Sequence, residues 1–251
     1  MAFPVVESIT EYSRAVNDAT HDIIMPATVN SGDLLIIIFG HDEAVALTSG
    51  PTGFTQLGGD SNLGAGGTGG MYVHAKVADG TEDSGTFTYT LASVSEGGAA
   101  QTYRITAWEG TLAGVEISAI TEGGASASVT FGSGLTPSWG ADDTLWLAVC
   151  SSNDDDAAVS VYPTNYTNGL STQSGSGTND SPAVHSARRE LNGTSDTPGT
   201  LTLDQSEYWG SFTIGIQPAS AASGRIMSSL ANRGGLAGTG GIAGSGGGLA
   251  G

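Results

Sequence analysis

Apolar residues occur along this chain in two patterns. LLIIIF at 34–39 and LWLAVC at 145–150 are apolar at nearly every position. A short run of that kind reads as a strand covered on both faces. Elsewhere apolar and polar residues alternate, as in TFTYT at 86–90, QTYRITAW at 101–108 and GSFTIGI at 210–216. A period of two marks a strand with one face toward a core. Gly, Asp, Asn and Ser separate these segments, and no long helical period interrupts them. The pattern predicts an all-β, jelly-roll-like, two-layer antiparallel sandwich over residues 1–218.

The segments also recur in order. GDLLIIIFG at 32–40 corresponds to DDTLWLAVC at 142–150, with Asp33 matched to Asp143. Phe54-Thr55 and Tyr166-Thr167 follow. Next come KVADGTEDSGTFTYT at 76–90 and RELNGTSDTPGTLTL at 189–203. Ser95-Glu96 and Ser206-Glu207 precede the closing strands. Two pseudo-repeated units are therefore expected, about 33–109 and 143–216, closing one sandwich because neither covers its apolar face alone. Segments 4–27 and 111–141 should each add one or two strands. The expected inner faces are Leu35, Ile37, Phe39, Leu145, Leu147, Val149, Phe212, Ile214 and Ile216.

Charge narrows the partners. The formal net charge is −18, Lys76 is the only lysine, and Arg188-Arg189 is the only adjacent basic pair. Phosphate binding needs clustered cations, so no nucleic-acid partner is expected. The start carries no signal-peptide pattern. LLIIIF is too short to span a bilayer, so no membrane insertion is expected. Cys150 is the only cysteine and reads as a small buried apolar residue.

The C-terminal sequence is of another kind. After a linker at 219–232, with a short helical turn expected around Ile226, Met227 and Leu230, residues 233–251 read RGGLAGTGGIAGSGGGLAG. Gly235, Gly238, Gly241, Gly244 and Gly247 recur every third position, with Leu236, Ile242 and Leu249 as spaced apolar anchors. A three-residue period suits an extended peptide packed closely where only Gly fits. It is read as an attachment peptide.

Chemistry-bearing motifs are sparse. His21, His41, His74 and His185 share no metal-ligand spacing, and no nucleophile elbow, P-loop or dinucleotide fingerprint is present. No catalytic residue and no cofactor are expected. Asp154, Asp155 and Asp156 form the densest carboxylate cluster and are weak calcium candidates, with Asp79, Glu82 and Asp83 weaker still. The expectation is no intrinsic metal site. Tyr162, Tyr166 and Tyr208, at loop or turn edges, are candidates for stacking on a sugar ring.

GDLLIIIFG, GFTQLG at 53–58, KVADGTE at 76–82 and the GGLAGTGGIAG tail together give a chain that resembles small virion structural proteins of tailed phages. The resemblance implies a non-enzymatic component of a tail tip, fibre or particle surface, made in the host cytoplasm and located on the virion. Its partners would be other virion proteins within a homo-oligomer, a trimer being favoured. A carbohydrate-binding adhesin that contacts a host surface glycan, a capsid decoration protein and a depolymerase are the alternatives. The second unit has Arg-Glu-Leu-Asn at 189–192 in place of Lys-Val-Ala-Asp, so a shared binding role for both units is not implied.

Overall fold

The computed structural model describes residues 2–64, 69–95, 97–153, 157–175 and 181–220. Residues 1–221 fall in one compact unit. Its first half contains β1 (Val5–Arg14), β2 (Asp18–Ile24), β3 (Leu34–His41), β4 (Leu47–Ser49), β5 (Thr55–Asp60), β6 (Gly70–Val77), β7 (Thr86–Ser95) and β8 (Gly98–Thr106). The second contains β9 (Val115–Ile117), β10 (Thr121–Val129), β11 (Asp142–Ser152), β12 (Val159–Val161), β13 (Thr167–Gln173), β14 (Ala183–Gly193) and β15 (Leu201–Ile216). The fold is all-β: every strand pairing is antiparallel. No α-helix occurs among the described residues.

Three sheets build the unit. The first runs β1-β8-β3-β6-β5, and the second runs β10-β15-β11-β14-β13 with β9 and β12 also on β15. The third is β2-β7-β4. The first two face each other across a core that includes Leu34, Ile36, Ile38, Leu145, Leu147, Val149, Phe212, Ile214 and Ile216. The third covers the outer face of the first, where Leu35, Ile37 and Phe39 meet Ile23, Met25, Tyr89 and Leu91. On the outer face of the second sheet, Trp146, Ala148 and Cys150 pack with Val129, Phe131, Leu201 and Leu203. Both continuous apolar runs are thus strands buried on both faces. Burying each large apolar side chain contributes roughly 1.5–3 kcal/mol, which makes β3 and β11 the best-anchored strands.

One expectation about these faces is corrected. Leu35, Ile37 and Phe39 do not face β11; Leu34, Ile36 and Ile38 do. Matching Asp33 to Asp143 slips the comparison by one residue, which exchanges the two faces of a strand. By face, Leu34, Ile36 and Ile38 answer to Leu145, Leu147 and Val149, since both sets line the central core. The run is apolar at every position because a third sheet lies outside it, so alternation could not choose a face. The inner positions expected on β11 and β15 do face the central core.

The two halves follow the same connectivity. β1, β3, β5, β6 and β8 take the places that β9–β10, β11, β13, β14 and the C-terminal part of β15 take in the other sheet. β2 and β4 flank β7 as β10 and β12 flank the N-terminal part of β15. The chain breaks pairing between β7 and β8 but runs straight through β15, which is why one half has a separate outer sheet. β1 lies against β13 and β5 against β9, a reciprocal arrangement like that of an isologous interface. A Cβ at Gly40 would collide with Ser151, so the two main sheets approach closely there.

Candidate functional site

The histidines serve the core. His21, His41 and His74 are buried between the first and third sheets among Tyr12, Phe39, Tyr72 and Tyr89. Tyr89 Oη and His74 Nδ1 are 3.0 Å apart, Tyr12 Oη and His21 Nδ1 3.2 Å apart, and His41 Nδ1 lies 2.8 Å from the Asp42 carbonyl oxygen. His41 Nε2 is buried without a hydrogen-bond partner among the described residues. His185, in the second sheet, lies 2.9 Å from Ser171 Oγ and 3.2 Å from Ser152 Oγ. Burial is the main cause that lowers the pKa of each of the four imidazoles to about 4. They are neutral packing groups at neutral pH. Cys150 is likewise buried, and burial pushes its thiol pKa up, which suppresses thiolate chemistry.

The carboxylates of the 79–83 loop are used locally. Glu82 is buried, accepts backbone hydrogen bonds from Asp79, Gly80 and Thr81, and pairs with Lys76 at 2.6 Å. Asp83 accepts from the backbone amide of Val29. Asp154, Asp155 and Asp156 lie outside the described residues, as do the attachment residues 235–249. Among the described residues no group of His, Cys, Asp and Glu side chains could hold a metal ion.

The three tyrosines do not form one platform. Tyr166 is buried, and its hydroxyl donates to Asp196 at 2.6 Å while Arg189 pairs with the same carboxylate at 2.9 Å. It closes the outer core of the second sheet and offers no ring face to solvent. Tyr162 is half-buried against Gly169, and Tyr208 is half-buried beside Gly64 and Gly124.

The structure instead brings polar residues together between the two main sheets, where β8 crosses β14 and β1 crosses β13. Gln101 Nε2 donates to the Val184 carbonyl at 2.9 Å and to Thr172 Oγ1 at 3.1 Å. Ser186 Oγ donates to Gln101 Oε1 and lies 2.6 Å from Tyr103 Oη. Thr172 Oγ1 donates to Glu11 at 2.6 Å. Gln101 and Ser186 are fully buried, so each bond replaces one that water would otherwise make. Burial pushes the Tyr103 hydroxyl pKa up to about 12, so it stays protonated.

This seam opens at Arg188, which lies on β14 two residues beyond Ser186. Arg188 is half-buried and lines two adjoining cavities of about 510 and 120 Å³. Asn168 and Glu190 line both; Asn165, Thr167 and Arg189, the last already paired with Asp196, belong to the larger, and Val5 and Leu145 to the smaller. Lys76, Arg14, Arg104 and Arg189 each hold a carboxylate. Among the described residues Arg188 has no salt bridge and its guanidinium no hydrogen bond. Sequence reading noted Arg188 only as half of a basic pair. Alternation along β14 was the available signal, since it puts Arg188 on the inward face with Val184 and Ser186.

Comparison with family models, with curated proteins and with solved structures finds no match for this chain.

Proposed function

We propose that this chain is a non-enzymatic structural protein of a tailed-phage virion. A β-sandwich head would be carried on the particle by the Gly-rich peptide at 233–251. The observation that supports the division is the last strand bridge among the described residues. Trp108 bridges Pro218, and the Ala219 amide donates to the Ala107 carbonyl at 3.0 Å, beside the Trp108 indole that donates to the Gly32 carbonyl at 2.9 Å. The compact unit ends at Ala221, and the whole Gly triplet pattern lies beyond it. Both layers of the sandwich are drawn from residues before that point. The partners would be other virion proteins and sister copies of the chain.

The test pairs the full chain with residues 1–220, measuring thermal stability and occupancy in purified particles. The expected result is an unchanged melting temperature with occupancy lost. Full occupancy of the shortened chain contradicts the attachment role, and an unfolded shortened chain makes the tail part of the core. Gly241→Val in the full chain should lower occupancy similarly, because a β-branched side chain prevents close backbone approach.

A further inference from the structure

We infer that the Arg188 cleft is a binding site for a saccharide bearing a single carboxylate, of the uronic-acid class. This inference is independent of the attachment reading. Arg188 and Glu190 stand two residues apart on one face of β14, where they line the same two cavities, yet no ion pair closes between them. A half-buried guanidinium with no protein acceptor offers a planar fork of donors that matches a carboxylate. Asn165, Thr167 and Asn168 at the start of β13, with Glu190, supply short donors and acceptors suited to ring hydroxyls. Asn165 and Asn168 have φ values of 69° and 52°, a left-handed conformation in which Asn is the tolerated non-glycine choice.

The cleft's size and charge select the ligand. About 510 Å³ is within the range of small-ligand pockets, and the lining carries no aromatic side chain. Recognition there rests on hydrogen bonds and one ion pair rather than on ring stacking. Glu190 and the net charge of −18 disfavour phosphates and polyanions. Equivalent positions in the other half carry the opposite chemistry. The corresponding strand β6 turns Met71, Val73, Ala75 and Val77 inward, and all four pack on the apolar core. The cleft therefore belongs to the second half alone.

The experiment is a titration of the full chain with D-glucuronate, followed by NMR of the Asn165 and Asn168 side-chain amides. Glucose and acetate serve as parallel probes. Saturable shifts at those amides with glucuronate, at least tenfold weaker with glucose or acetate, are expected. Arg188→Gln should weaken glucuronate binding roughly tenfold or more, the cost of a charge-assisted hydrogen bond, at an unchanged melting temperature. Should Arg188→Gln fail to fold, Glu190→Gln read with the wild-type amide shifts replaces it, with glucuronate bound no more weakly and inorganic phosphate bound more tightly. Absence of glucuronate shifts at Asn165 and Asn168 overturns the inference. So does full binding by folded Arg188→Gln, and acetate binding as tight as glucuronate overturns the saccharide assignment.

Discussion

The two flanks of the sandwich share a connectivity and differ in chemistry. On one flank β5 lies against β9, with Leu57, Leu63, Ile117, Ile120 and Phe212 closing the core. On the other, β1 and β8 lie against β13 and β14 with Glu11, Gln101, Tyr103, Thr172 and Ser186 joined by hydrogen bonds. The inward faces of the corresponding strands differ: β15 carries Phe212, Ile214 and Ile216 where β8 carries Gln101, Tyr103 and Ile105, and β6 carries Val73 and Ala75 where β14 carries Ser186 and Arg188. The same place in the fold is therefore filled once by apolar contact and once by a polar network. Non-directional packing suffices to hold two sheets together. Buried hydrogen bonds add geometric demands instead, and each must be satisfied to avoid a penalty. The polar flank is also the one that leads to the open cleft at Arg188.

The comparison can be broken by substitution, starting with the apolar flank. Phe212→Ala should cost about 3–5 kcal/mol in urea unfolding, because its ring is buried in the central core and the cavity collapses only partly. A loss under about 1 kcal/mol would show that this flank is not what holds the sheets together.

Acid should act on a different layer. The unfolded histidine pKa is near 6.5, and the folded values of about 4 lie below it. The unfolded chain then binds more protons between these values, so stability is full above about pH 6.5 and falls as pH drops toward 4. Protonating each imidazole removes on the order of 3 kcal/mol of stability. Three of the four lie under the third sheet, so amide exchange in β2 and β7 should accelerate before exchange in β11. Uniform acceleration across all sheets would contradict this order.

On the polar flank, Gln101→Leu alone should cost about 1–3 kcal/mol, since it takes one hydrogen-bond partner from each of Ser186, Thr172 and the Val184 carbonyl. The smallest effect is expected at the cleft mouth. Arg188→Gln removes no ion pair or hydrogen bond among the described residues and should change stability by about 0.5 kcal/mol or less. A larger loss would mean that Arg188 is a structural member of the seam.

The fold class was legible because its signals are local. The runs at β3 and β11 and the alternation in β15 all sit within single segments. The inner faces of β11 and β15 followed from the same alternation. The face of β3 did not, because both neighbours of that strand are apolar layers and only pairing distinguishes them. Tyr166 was read as an edge residue from its loop neighbours, whereas Asp196, thirty residues later, takes its hydroxyl into the core. The seam was illegible for the same reason. Gln101, Thr172 and Ser186 come from three strands, and nothing near any one of them in sequence names the other two. Arg188 became visible as a cleft residue only when β14 was placed between β11 and β13.

The central claim is that the polar flank is a self-contained network in a position that packing alone could fill. The most direct measurement is the unfolding free energy of Gln101→Leu, Tyr103→Phe and Ser186→Ala, each singly and all three together. Removing Gln101, the Tyr103 hydroxyl and the Ser186 hydroxyl together at nearly constant shape leaves Thr172 bonded to Glu11 and few stranded groups. The account predicts a triple variant within about 1 kcal/mol of the wild type, although single losses sum to several times that. A triple variant as unstable as the sum of its singles would contradict it.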